Sequence, residues 1–487
     1  MQLVILCREK DLKQFGPDKV FGPLVKDLKH LESVGLDVGN DLFIKGSLFC
    51  ILGDNLGSHM VGGFVESFSG KHVCRYCLAE RSEMLHESFA IRGEKRTQEN
   101  YQESVQIVLS EGLNNHKGIK QSSIFNELQH FHVVSGLPPC IGHDLFEGIL
   151  AYDMKLVTDY FVITKRWFTY DQLNKRLIGF PYTGYDALDK PCAVNPTSDR
   201  MPGHAVQNWV FIRLFSLFVG KYVADTEVRV WAFFLLIKKL VEIVCTQSFE
   251  VCQIAILNSV IEDYLHERKE IFNVQMRPKH HYLVHYPELI LKFGPLIRLW
   301  TLRFESKHSY FKKCARKLQN YKSLAKTLSQ KHQLLQALYN SGSLFPNEFE
   351  VEILLPFHPE MYSENIKAVL SGCGLTGSNS MKATKVCIRG ITYKLGNTLV
   401  ISQPTSYEML VGCIQDIFVE GNTVYFLVHE ILCTYIDAMD LYAYESSLDH
   451  DYDVQCLTLS QFADCYTVEI YFESGTSYIS LKHSLSQ

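Results

Sequence analysis

The sequence predicts an α/β chain that carries a large α-helical insertion and ends in a small all-β, barrel-like domain. Three observations predict it. Apolar runs at residues 2–7 (QLVILC) and 46–52 (GSLFCIL) have the length and composition of buried strands. Three long apolar segments, about 204–222, 226–247 and 251–270, are too long for strands and read as helices. Beyond the loop at 371–380 (SGCGLTGSNS) the pattern changes to short alternating or apolar runs, with Gly421-Asn422 marking a tight hairpin.

At 487 residues the chain is long enough for two or three domains, each with its own core. Apolar residues make up 47% and charged residues 21%, the balance of a soluble globular protein. The net charge of −5 hides an asymmetry, because residues 380–487 hold 13 acids against 5 bases. That acidity argues against strong duplex binding by the C-terminal part. The fifteen cysteines are odd in number and, apart from Cys74 and Cys77, scattered through apolar segments. They read as reduced thiols inside a cell rather than a disulfide framework. No secretory or membrane-spanning run is evident; the apolar stretch 210–219 is too short.

Taken in order, residues 19–34 form an amphipathic helix with Val20, Leu24, Leu28 and Leu31 on one face. The strand at 46–52 runs into Gly53-Asp54-Asn55. An acid there suits a metal ligand at a strand end, and equally an ordinary turn. Cys74-Arg-Tyr-Cys77 has the spacing of two thiolate ligands of one metal. His280 and His285, five apart, can complete a Cys2His2 set; His59, His72 and His86 are nearer alternatives. Residues 87–135 mix loop and helix. Pro138-Pro139-Cys140-Ile-Gly-His143-Asp144 leads into a helix at about 144–160, placing His143 and Asp144 at an N-terminus that favours anions. Asp144 there also serves as a simple N-cap. Residues 164–203 are broken by Pro181, Pro191, Pro196 and Pro202.

Residues 276–331 hold thirteen Lys or Arg against two acids, Glu288 and Glu305. Glu305 opens a helix of about 304–320, followed by another at 324–339. Lys307, Lys312, Lys313, Arg316 and Lys317 decorate the first, a pattern that suits a phosphate backbone or a merely solvated face.

The order Asp54, Cys74/Cys77, a helical insertion, His280/His285, then Phe304-Glu305-Ser306 on a basic helix resembles the DDE transposases with a ribonuclease H-like core. It is most similar to the CACTA-type group and the transposase-derived proteins of animal genomes, with a zinc arrangement like that of the V(D)J recombinase catalytic subunit. Cys74 follows Asp54 by 20 residues, His285 precedes Glu305 by 20, and Cys140-Ile-Gly-His143 matches the family's C/DxxH motif. The resemblance covers about residues 1–340. It implies structural zinc on Cys74, Cys77, His280 and His285, catalytic roles for Asp54, Glu305 and His143, and Mg²⁺ or Mn²⁺ only where three carboxylates complete the site. It further implies DNA as a partner, no membrane and a nuclear location, and leaves a homodimer open.

The family's first acid sits on its first strand, and here the chain reads as starting at the third. Asp11 is too close to Asp54 to stand in for it. The expected organisation is an incomplete core over 1–80, helical insertion 81–275, histidines and last catalytic helix 276–345, linker 346–380 and acidic β domain 381–487. The expected protein binds DNA without cutting it. The alternatives are an active transposase from an incompletely read gene, and a host-recruited zinc-stabilised interaction scaffold.

Overall fold

The structure, a computed structural model, describes residues 3–86, 92–319, 321–342, 348–377, 379–405, 407–445 and 453–485. It mixes helix and sheet, and it divides into two compact units, each assembled from two stretches of chain. The first comprises residues 1–151 and 247–344, the second 152–246 and 345–487. Helices of the expected insertion are thus shared out, and the C-terminal strands belong with some of them rather than standing alone.

In the first unit, the helix Glu9–Ser33 bends at Gly16 ahead of Pro17, where a positive φ of 80° interrupts the turn. It packs Val25 and its neighbours Phe21, Leu24 and Leu28 on Phe64, Tyr101, Phe125 and Leu137. The strands expected at 2–7 and 46–52 do not form. Met1 and Gln2 lie outside the described residues, and 3–7 and 46–52 are extended chain without a ladder. The only strand pair between them among the described residues is Leu36–Asp37 with Phe43–Ile44. Leu48 and Ile51 pack on the core as single apolar contacts, while Phe49 points outward at 65% exposure. An apolar run specifies burial; it does not supply a partner strand. Among the described residues this unit therefore contains no ribonuclease H-like sheet. Asp11 sits in the first helix, held by both guanidinium arms of Arg8 at 2.7 and 3.0 Å.

The expected helix at 144–160 is a compound one. Gly142–Ile149 is a π-helix, Leu150–Asp159 is α-helical, and Tyr160–Thr164 is again π. The helices Ala205–Val219, Arg229–Val244, Val251–Ile271, Leu302–Leu318 and Leu324–Asn340 stand where the apolar periodicity puts them.

The second unit is built on a curled, half-barrel antiparallel sheet. Its order is Ile470–Glu473, Thr476–Ile479, Leu441–Glu445, Thr423–Ile436, Glu408–Glu420, Ser380–Ala383 and Leu354–Pro356, with Val454–Thr458 and Thr398–Val400 added on the two long central strands. Glu420 faces Thr423 across the Gly421-Asn422 turn, the expected hairpin. The expected linker 346–380 is not a linker: Leu354–Pro356 joins the sheet and Glu364–Gly372 is a helix. The helices of this unit are tied to its strands by buried polar groups. Trp231 donates its indole N–H to the Ala438 carbonyl at 2.7 Å, and Ser480 donates to the Arg213 carbonyl at 3.1 Å. Arg213, 2% exposed, pairs with Asp186 at 2.6 Å, and the Tyr471 hydroxyl donates to the same carboxylate.

Candidate metal centre

The Cys74–Cys77 loop is held from outside before any ligand is considered. Arg96 donates its backbone N–H to the Tyr76 carbonyl at 3.0 Å and its Nε–H to the Cys74 carbonyl at 2.9 Å. The Tyr282 hydroxyl donates to the Val73 carbonyl at 3.0 Å, tying the loop to the histidine-bearing helix. Between the two cysteines, the fully buried Arg75 lies over the rings of Tyr76 and Tyr282. Such contacts fix both thiols in a small apolar cluster of Val73, Ala79, Met84 and Tyr282.

Facing them, the helix Pro278–Leu283 carries His281, and His285 caps the next helix, Tyr286–Phe293. Cys77 Sγ lies 3.2 Å from His281 Nε2, Cys74 Sγ lies 3.5 Å from His285 Nε2, and the two Nε2 atoms are 3.2 Å apart. All four residues are buried, with ligand atoms within 4.8 Å of one another. A tetrahedron with bonds of about 2.0–2.3 Å has edges of about 3.3–3.8 Å, close to these separations. The group can hold a metal ion such as zinc. It joins segments 204 residues apart in sequence.

One expected ligand changes identity. His280 does not enter the group; its Nδ1 accepts the Arg277 backbone N–H at 2.9 Å, and its ring stacks toward Tyr264. The reason is helical phase. Residues four apart share a face, whereas five apart they diverge by about 140°, so His281 pairs with His285. Of the nearer alternatives, His59 bonds the Val65 carbonyl, His72 bonds that of Leu78, and neither joins the group. Electrostatics suits a shared site. Hydrogen bonding from Cys74, then from His281 and His285, pulls the Cys77 thiol well below its ordinary range against the effect of burial. Burial pushes Cys74 the other way.

A second constellation lies around Glu305. His143 Nε2 is 3.8 Å from Glu305 Oε1, and His143 Nδ1 is 3.2 Å from Cys140 Sγ. Thr301, which precedes the basic helix, donates its hydroxyl to Glu305 and its backbone N–H to Cys140 Sγ at 3.4 Å. Lys279 donates to the His143 carbonyl at 2.7 Å. It does so across Gly148, where a Cβ would come within 2.5 Å of the Lys279 side chain. The hydrogen bond with Cys140 raises the His143 imidazole to about 9 despite desolvation, with the charges of Cys140 and Glu305 contributing further.

His143 and Glu305 are thus brought together. Asp54 is not part of that cluster. It is exposed, and its carboxylate caps the helix Asn55–Val61 by accepting the Gly57 N–H at 2.6 Å. Its neighbour Asn55 bonds Asp144, the residue after His143, which ties the two segments side by side. Asp144 is fully buried, and burial raises its carboxyl. Sequence reasoning assigned no site role to His281, Thr301, Asn55, Arg75 or Lys279. An i,i+4 test on the two adjacent histidines picks out His281; the others carry no local signal.

The basic helix Leu302–Leu318 buries only Phe311. Lys312, Lys313, Arg316 and Lys317 are exposed, and the half-buried Lys307 lies 4.7 Å from the Tyr310 ring centroid. Among the described residues, no helix is long and apolar enough to cross a membrane. The chain matches no protein-family model and no curated protein.

Proposed function

We propose that the chain is a transposase-derived, zinc-stapled DNA-binding protein that works in the nucleus and does not cut DNA. The observation that carries this reading is the buried Cys74, Cys77, His281 and His285 group, whose last member stands twenty residues before the carboxylate that opens a basic helix. Thiolate and imidazole donors in a closed four-ligand set suit zinc in a structural role, in which the bound ion supplies folding free energy and leaves no position open for substrate. The exposed cations of Leu302–Leu318 then supply phosphate contacts, which position a duplex without reading its sequence.

The surroundings of Glu305 do not fit a magnesium or manganese ion. Hard cations want converging oxygen ligands, yet the neighbours of Glu305 are a hydroxyl that donates to it and the imidazole of His143, which its bond with Cys140 raises to about 9. A cationic imidazole repels a divalent ion. The reading therefore has no metal-dependent strand cleavage in it. It is tested by titrating the zinc-loaded protein into a fluorescent duplex of about 20 base pairs at several salt concentrations. Five phosphate contacts predict a slope of about −4 to −5 in log K against log salt. A slope near zero, or duplex nicking that Glu305→Gln abolishes, overturns it.

A further inference from the structure

We propose that Cys373 and Cys456 form a reversible disulfide, a redox modification site that staples the helix Glu364–Gly372 to the strand Val454–Thr458. Both residues lie in the second unit, 83 positions apart in sequence. Cys373 is the C-cap of its helix, with its backbone N–H bonded to the Leu370 carbonyl at 3.1 Å. Its thiol donates to the Cys456 carbonyl at 3.4 Å and lies against the Cys456 thiol. Cys456 stands opposite Leu427 in the ladder and is 8% exposed, packed with Phe357, Leu370, Leu375 and Phe418. Cys373 is half-buried at the rim of the same cluster, so it is the sulfur that a small oxidant reaches.

The two thiols divide the work. Burial, then the Cys373 sulfur beside it, pushes the Cys456 thiol up, so it is the slower of the two to meet oxidant and gives up its proton only as it attacks. Cys373 as thiolate attacks a peroxide oxygen; an S–O bond forms, the O–O bond breaks, and the leaving hydroxide takes a proton to become water. The Cys456 sulfur then attacks the Cys373 sulfenic sulfur; the S–S bond forms, the S–O bond breaks, and a second water leaves with the remaining thiol proton. Two thiols are oxidised by two electrons and one peroxide is reduced to two waters.

The staple would act on a strand that the ladder holds from one side. Among the described residues, Val454–Thr458 pairs only along Tyr425–His429 and has no second neighbour. Tying it to the helix closes a long loop and restricts the unfolded chain.

The test uses the full chain, zinc-loaded, treated with a small excess of hydrogen peroxide. It is then blocked with iodoacetamide and digested without reduction for mass spectrometry. The expected product is one linked pair of peptides carrying Cys373 and Cys456, lighter by two hydrogens than their sum and split by dithiothreitol. The thermal midpoint of the second unit should rise by several degrees and fall back on reduction. Cys373→Ser should lose both effects. Cys456→Ala, which leaves Cys373 without its resolving thiol, should convert Cys373 to sulfinic acid. Recovery of wild-type Cys373 as sulfinic acid, as the iodoacetamide adduct, or linked to any other cysteine overturns the proposal.

Discussion

The two units solve the same problem with different materials. In the second, backbone ladders do most of the work: among the described residues nine strands share one sheet, two of them 13 and 14 residues long, and the buried Arg213–Asp186 pair is tied to it through Tyr471. Among the described residues the first unit has one two-residue strand pair and long segments outside any ladder. Its distant parts meet instead at four side chains around one point. A ladder distributes stability over many bonds, so single losses are tolerated. A ligand cluster concentrates it, so one lost ligand removes a large share at once, even with Tyr282 still bonded to Val73.

The largest expected effect follows directly. Chelation, or Cys77→Ser, should unfold the first unit while the second keeps its hydrogen-exchange protection. Metal binding is folding free energy, and the loss should reach about 5 kcal/mol or more. Equal loss of protection in both units would erase the contrast.

Next comes Arg213→Met, which strands the buried Asp186 carboxylate. It should cost the second unit about 3–5 kcal/mol in urea unfolding and leave metal content unchanged. Adding Asp186→Leu should recover much of that loss, because an apolar pair replaces an ion pair more readily than half of one.

A third effect sharpens the first unit's pH response. His59 is 1% exposed, and burial lowers its imidazole to about 3. Below pH 6.5 the unfolded chain binds a proton that the folded one refuses, so stability falls as the pH drops from 6.5 toward 3. The wild type should lose about 2–4 kcal/mol more than His59→Gln over that window. Parallel stability curves would remove His59 as the cause.

The smallest change in stability, within about 0.5 kcal/mol, belongs to Lys312→Gln/Lys313→Gln/Arg316→Gln on the exposed face of the basic helix. The same triple variant should flatten the salt dependence of duplex binding by about 3 in slope. An unchanged slope would return that face to plain solvation.

Legibility in the sequence follows the same divide. The helices between residues 205 and 340 and the Gly421-Asn422 hairpin were readable because their signals are local: apolar periodicity and turn chemistry. The CxxC pair was readable because both ligands sit in one loop. The strands expected at 2–7 and 46–52 were not there, since the ladder that makes a strand is a property of two segments. His281 is hidden beside its neighbour because a five-residue motif spacing fits His280, and helical phase alone separates the two. Thr301, which touches both Cys140 and Glu305, had no legible signal; its position depends on contacts across 161 residues. The grouping of residues 152–246 with the C-terminal strands was equally out of reach, because it rests on partners such as Trp231 with Ala438.

The π-helix Gly142–Ile149 lets its stretch of chain carry one residue more than an α-helix of the same turn. Its hydrogen bonds span five residues, as from the Leu150 N–H back to the Leu145 carbonyl. Deleting a single residue there would convert the segment to ordinary α-helix and leave the helix on either side in phase. The cost would fall on the side chains carried inside the bulge, Asp144 bonded to Asn55 and His143 beside Glu305, which would be re-aimed although neither had been replaced. Descendants of this sequence can therefore shorten the helix by one and keep its course, but not the aim of its cargo.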